Sequence, residues 1–278
     1  MKKILFPTDF SETSNNAFVY ALHLAKNIGA EVLTVHVYEL PVVDYINVPA
    51  YLADIYDTVE MSNFQNYKDQ IPILHEIAER NGLSDIKISN ILMDGDLVTT
   101  ILQLIKEDNI DYVVMGTKGA SGLKETFLGS VTGSIMTDSD AVVLGIPEES
   151  TYRPLRRITF TTRFREKDQK ALKKVVKLAK KFDAHVDCLY VKTSKSDVKD
   201  IVIANWKHNF ADADVTFHII ESNDVEQAIF DFTEQHQTDL LAMLHYKRGF
   251  FESLFSRSLT KKMAFHIKIP LLAFHEDK

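Results

Sequence analysis

Short, nearly unbroken apolar runs alternate along this chain with longer segments whose apolar residues recur every three or four positions. Ile4-Leu5-Phe6, the run from Val32 to Val37, Tyr112–Met115 and Val142-Val143-Leu144 lack the polar alternation of a half-exposed strand. They predict strands covered on both faces, as in a parallel sheet. In the first half the pattern predicts strands at 2–6, 31–38, 86–93, 112–115 and 141–146, with helices at about 12–28, 54–81, 97–108 and 131–138. In the second half it predicts strands near 157–161, 185–191, 215–220, 240–243 and 271–274. Ser11 is placed to cap the first helix, and Gly29 to end it in the left-handed conformation. Strands alternating with helices give an open sheet wound on both faces. The expected fold is therefore α/β: two tandem, doubly wound, mainly parallel five-stranded domains.

The tandem expectation rests on an internal repeat. Ile4-Leu5-Phe6-Pro7-Thr8-Asp9-Phe10 reappears in outline as Ile158-Thr159-Phe160-Thr161-Thr162-Arg163-Phe164, and Leu24-Ala25-Lys26 reappears as Leu178-Ala179-Lys180, both 154 positions on. Asp111–Met115 reappears as Asp239–Met243 only 128 positions on. The second copy is thus 26 residues shorter between its second and fourth strands. A repeat of this size means two copies of a domain, not a solenoid. The expected domains are 1–148 and 157–278, joined by a polar linker at 149–156.

Composition narrows the function classes. At 278 residues the chain has room for two ordinary domains, and 45% hydrophobic with 26% charged residues is a globular balance. A net charge of −7 argues against nucleic-acid binding through phosphate neutralisation. No apolar run approaches the ~20 residues that span a bilayer, and Ile4-Leu5-Phe6 is too short for a signal-peptide core. One cysteine, Cys188, rules out an internal disulfide framework, and its strand setting predicts a buried, inert thiol. These features point to a cytoplasmic protein without a membrane partner.

The candidate chemistry gathers at Gly116-Thr117-Lys118-Gly119, followed nine residues on by Gly129-Ser130-Val131-Thr132. A strand precedes this segment and a helix follows it. Glycine lets backbone approach a ligand, and a Gly-Ser helix start offers unpaired N–H groups and the positive end of the helix dipole, which suits phosphate. The loop has neither the Walker A spacing nor the Gly-x-Gly-x-x-Gly of the dinucleotide folds. In a doubly wound sheet a ligand sits beyond the carboxyl ends of the strands. Pro7-Thr8-Asp9, Val37 and Gly116 all fall there.

The spacing Gly-x2-Gly-x9-Gly-Ser resembles the ATP-binding loop of the universal stress protein family, and Ile4-Leu5-Phe6-Pro7-Thr8-Asp9 and His36-Val37 fit the same pattern. The resemblance covers residues 1 to about 148 specifically and the remainder more weakly. It implies an adenine nucleotide alpha hydrolase-like fold, a site for ATP or AMP, Mg2+ carried on the nucleotide phosphates, and a stress-response or regulatory role. It assigns the ribose to Asp9, the base pocket to Pro7, Thr8, Val37 and Met115, and the ribose and phosphates to Gly116, Gly119, Gly129, Ser130, Val131 and Thr132. Asp9 has an alternative reading as a turn or cap residue, and Met115 as plain core. Lys118 and Lys124 read either as added charge or as solvated loop lysines. Family members pair through their last strands, here 141–146 and 271–274, so the two domains are expected to form an internal pseudo-dimer. A homodimer stays open.

Asp94-Gly95-Asp96 lacks the further carboxylates of a calcium loop and reads as a turn. Tyr51, Tyr56, Phe64 and Tyr67, in the second helical segment, read as amphipathic core or as a partner surface. In the second copy Asp9 becomes Arg163, while Gly116, Gly119 and Gly129 become Leu244, Lys247 and Arg257. That copy is expected to be degenerate and not to bind ATP in the same manner. Its basic, aromatic loop His245–Phe251 leaves a different anion site open. No spacing suggests a nucleophile with its base, so a nucleotide-binding regulator is favoured over an enzyme. A slow ATPase and a ligand-free scaffold are the alternatives.

Overall fold

Each apolar run becomes a strand, and the strands join side by side into one sheet. The computed structural model describes residues 1–40, 49–117, 130–245 and 268–275. The first half runs β1 (Lys2–Pro7), α1 (Glu12–Ile28), β2 (Ala30–Tyr38), α2 (Pro49–Arg80), β3 (Ile88–Asp94), α3 (Leu97–Glu107), β4 (Tyr112–Gly116), α4 (Ser130–Asp138) and β5 (Val142–Ile146). The second runs β6 (Arg157–Thr161), α5 (Glu166–Phe182), β7 (His185–Lys192), α6 (Asp200–Asn209), β8 (Val215–Glu221), α7 (Val225–Gln235), β9 (Leu240–Leu244) and β10 (Leu271–Phe274). Ser11 caps α1 by accepting from the Ser14 N–H, and Gly29 closes it at φ 69°. Helix α2 starts at Pro49, earlier than the sequence pattern places it; proline is well suited to a first helical turn because its missing N–H would be unpaired there anyway.

The strand order is β3-β2-β1-β4-β5-β10-β9-β6-β7-β8. Pairing is parallel within each half and antiparallel where β5 meets β10, with Leu271 opposite Gly145 and Ala273 opposite Val143. Two five-stranded halves thus form one ten-stranded sheet about a local two-fold. The pairing removes two apolar strand edges that would otherwise stand open to solvent or to other chains.

Alternate residues feed two core layers, one on each face. Ile4, Phe6, Val114, Leu144, Ile158, Phe160 and Leu272 lie on one side. Leu5, Val113, Val143, Leu241, Leu271 and Ala273 lie on the other. Both layers run across the seam between the halves.

The segment 149–156, polar in sequence, is pinned to the surface and is no free tether. Asn16 donates to the Ser150 carbonyl at 2.6 Å, and the Tyr20 and Ser150 hydroxyls meet at 2.7 Å. Tyr152 stacks on His23 at 3.7 Å. Asp239 takes the Arg156 and Arg157 N–H groups and an ion pair from Arg153 at 2.7 Å. Its polar groups are the means of its attachment.

The repeat is repeated in backbone detail. Left-handed residues recur as Phe10 and Phe164 (φ 59° and 57°), Gly29 and Asp183 (69° and 54°), and Asn109 and Gln237 (52° each). The shortening of the second copy falls mostly on one helix: α6 spans 10 residues where α2 spans 32.

Candidate functional site

The opening lies where the parallel ladder runs out. Pro7 is opposite Val35, and the Thr8 N–H makes the last rung to the Val35 carbonyl at 2.9 Å. Backbone groups in a parallel ladder alternate sides, so those of Val37 face the β1 side one step past that rung. Extending the register of Ile4 with Tyr112 and Leu5 with Val113 brings Pro7 level with Met115. Pro7, Thr8, Val37, Met115 and Gly116 therefore converge on one end of the sheet, where the strand order reverses direction between β1 and β4.

A relay of short hydrogen bonds fixes the turn after β1. The Thr8 hydroxyl oxygen accepts from the Phe10 N–H at 3.0 Å and from the Ser14 hydroxyl at 2.9 Å. Asp9 Oδ1 accepts from the Ser11 N–H at 3.1 Å and its hydroxyl at 2.6 Å, and Ser11 in turn caps α1. Asp9 is thus an exposed turn aspartate just past the end of β1. Phe10, a bulky residue at φ 59°, sits in a region that costs energy for anything but glycine. Its ring is held by His36 at 5.2 Å and Tyr67 at 5.9 Å. His36 Nδ1 also meets the Thr8 carbonyl oxygen at 2.7 Å. Burial pushes the Tyr67 hydroxyl up to about 12, so it stays a neutral wall. Of the other helix aromatics, Phe64 is 54% exposed, and the side chains of Tyr51 and Tyr56 lie outside the described residues.

Helix α4 starts beside the end of β4. It begins at Ser130, so the backbone N–H groups of Ser130, Val131 and Thr132 form the first turn, where no intrahelical acceptor exists. The Thr132 side chain differs from the expectation of a phosphate donor. It is buried, and its hydroxyl donates to the Gly116 carbonyl at 2.8 Å, tying the helix start to the end of β4. Its backbone N–H is what remains for a ligand. Met115 belongs to the core layer beneath α3 and α4. Gly119 and Gly129, with Lys118 and Lys124, lie outside the described residues, as does the Ser130 side chain.

Gly145 in β5 is a supporting residue that the motif search missed. A Cβ there would fall 2.7 Å from Met136 Cε, 3.3 Å from Thr117 Cγ2 and 3.6 Å from Thr132 Cγ2. Its bare backbone lets α4 settle onto the sheet beside Gly116. The signal in the sequence was a glycine inside an apolar strand, which marks close approach of another element.

Asp94-Gly95-Asp96 is the expected turn: Gly95 has φ 127°, and Asp96 caps α3 by accepting from the Thr99 N–H and hydroxyl. Those bonds hold the Asp96 carboxyl below its usual range. Among the described residues no cluster of three or more His, Cys, Asp or Glu is placed to hold a metal, and no helix is long and apolar enough to cross a membrane. Cys188 is fully buried, and burial raises its thiol well above the usual value.

The second half keeps this frame and changes its chemistry. Thr162 donates its N–H to Leu189 and accepts from Phe164, as Thr8 does with Val35 and Phe10. At the place of Ser14 stands Asp168, fully buried, accepting from the Arg163 N–H at 2.6 Å, the Thr162 hydroxyl at 3.1 Å and the Arg165 N–H at 3.2 Å. Arg163 takes the position of Asp9, and buried Leu244 that of Gly116. The segment 246–267, with Lys247, Arg257 and most of the basic loop, lies outside the described residues.

Two halves in the order 3-2-1-4-5, each winding helices over a parallel sheet that opens at its switch point, are the adenine nucleotide alpha hydrolase-like architecture. The universal stress protein family matches residues 1–147. The chain belongs to that family. Universal stress protein YxiE of Bacillus subtilis is 32% identical over 148 residues, covering 51% of this chain and 96% of that protein. Universal stress protein MJ0577 of Methanocaldococcus jannaschii is 27% identical over 164 residues, covering 54% of this chain and 97% of that protein. These relatives match about half of the chain. A universal stress protein structure from Archaeoglobus fulgidus aligns over 99% of this chain and 96% of that one, with a TM-score of 0.68 and 21% identity, so the likeness of fold extends through both halves.

Proposed function

We propose that this chain is an adenine-nucleotide-binding regulator of a stress response, with one working site in its first half. On this reading residues 1–148 form the nucleotide-binding domain and 157–278 a degenerate copy that completes the sheet. The observation that supports it is that Thr8, Asp9, Val37 and Gly116 share the carboxyl end of the sheet, with Gly116 tied through Thr132 to the start of α4. Asp9 offers a carboxylate to ribose hydroxyls. The Val37 backbone and Pro7 line the base side. The N–H groups of Ser130, Val131 and Thr132 and the helix dipole take the phosphates. Mg2+ would arrive on the phosphates of ATP, whose hard oxygens it prefers.

The test is to denature freshly purified protein, identify any nucleotide released by chromatography, and titrate the stripped protein with ATP. About one adenine nucleotide per chain, lost in Gly129→Leu, is the expected result. Two per chain would give the second half a working site. None, with no ATP binding afterwards, would sink the proposal and leave an interaction protein without a ligand.

A further inference from the structure

A cavity of about 310 Å3 opens in the second half at the carboxyl ends of β6, β7 and β9. We infer that it binds a small organic anion with one acidic head and an apolar body, and not a nucleotide. The inference is independent of nucleotide binding in the first half.

Size and lining both lead there. Ligand pockets span about 300–1,000 Å3, and this one lies at the lower limit, where small ligands fit. Its floor is apolar, formed by Leu189, Val191, Ile229, Met243 and Leu244. Leu244 puts a buried side chain where the first half has the bare backbone of Gly116. The mouth carries Arg163, Arg165 and Lys195 together with Asp197. At the first of these positions the repeat has changed sign, from Asp9 to Arg163. A ribose acceptor has become a donor fork suited to carboxylate or phosphate.

Both cation-bearing loops are pre-ordered. Buried Asp168 holds the Arg163 and Arg165 backbone N–H groups. The Lys195 turn is locked by bonds from the Thr193 N–H to the Ser196 hydroxyl at 2.9 Å and from the Ser196 N–H to the Thr193 carbonyl at 3.0 Å. Holding cations at the mouth, over an apolar floor with hydroxyl-bearing walls, before the ligand arrives lowers the ordering cost of binding. The apolar floor selects the body of the ligand and the mouth selects its charge.

Trp206 is the single tryptophan of the chain and packs edge-on against Phe164 at 5.0 Å, between the two arginines in sequence. Its fluorescence is the readout for titrating the full-length protein with octanoate, octyl phosphate and octan-1-ol, each with and without saturating ATP. We expect saturable binding of one or both anions, at least tenfold tighter than the alcohol and unchanged by ATP or by Asp9→Ala. The tighter anion identifies the acidic head. Arg163→Ala combined with Arg165→Ala should weaken the anion at least tenfold, since both side chains are exposed and the loop is held through backbone. Val225→Trp, filling the cavity from the partly exposed start of α7, should abolish binding. Absence of saturable binding, equal affinity for the alcohol, displacement by ATP, or full affinity in the double arginine variant would each overturn the inference.

Discussion

Replacing Thr132 by valine deletes one buried hydroxyl and leaves the side-chain shape nearly unchanged. That hydroxyl makes the 2.8 Å bond to the Gly116 carbonyl, and Thr132 is 2% exposed. Leaving an acceptor without its partner costs about 1–3 kcal/mol when water cannot replace the donor. Gly116 is only half-buried, so the lower end applies, about 1 kcal/mol. The same bond sets the start of α4 against the end of β4. If phosphate binds the first turn of α4, loosening it by that amount should weaken ATP about fivefold, since 1.4 kcal/mol is tenfold. Thr132→Ser separates packing from positioning. It keeps the hydroxyl but loses a methyl group beside Gly145, about 0.8 kcal/mol of burial. Urea denaturation without nucleotide should therefore show both variants weakened to a similar degree. ATP titration of stripped protein should show near-normal affinity for the serine variant and reduced affinity for the valine variant. Equal ATP affinity in both would refute the reasoning and leave the bond a feature of the fold alone.

Gly145→Val should cost about 2–3 kcal/mol by overpacking α4 against β5. Gly145→Ala should cost clearly less, because its nearest contact is the mobile end of Met136; matching denaturation midpoints for the two would contradict this. Asp187→Ala should lose about 3 kcal/mol, because this carboxylate, 1% exposed, is bonded to Arg157 at 2.9 Å and His218 at 2.8 Å. The exposed Arg80–Glu76 pair is a built-in comparison, and Arg80→Ala should change stability by under about 0.5 kcal/mol. Burial, with His245 close by, pushes His275 down to about 4, against the opposing pull of Asp140 and Asp138. The unfolded chain takes up that proton from about pH 6.5 downward while the folded chain stays neutral, so stability is lost between pH 6.5 and 4 and is unaffected above. His275→Phe should remove that share of the acid sensitivity, and identical stability–pH slopes for variant and wild type over this window would count against it.

Had the sequence carried only element periodicity, the site would have stayed invisible. The candidate site was legible because the positions proposed to face a ligand fall next to strand ends, where a glycine or an aspartate breaks an apolar run. The frame around them was not. Phe10 carries no local signal for a left-handed backbone; His36 and Tyr67, brought over it by β2 and α2, make that conformation tenable. Thr132 has the residue type of a phosphate ligand, and only the approach of β4 redirected its hydroxyl to a carbonyl 16 positions away.

The sequence by itself determined the ten strands, the cap at Ser11, the left-handed stop at Gly29, the duplication and the loss of glycine at Leu244. Each is a matter of local periodicity, of backbone freedom at one residue, or of comparing one copy with the other. Tertiary structure decided the antiparallel register in which β5 and β10, the expected pairing strands, join into one sheet, that residues 149–156 lie pinned along α1, and that Arg157, Asp187 and His218 meet beneath α7. It also opened a cavity under Arg163 whose floor comes from three separate elements, β7, α7 and β9. These contacts join residues tens to more than a hundred positions apart, and a short window of sequence holds no record of which distant groups will share a face once the sheet has closed.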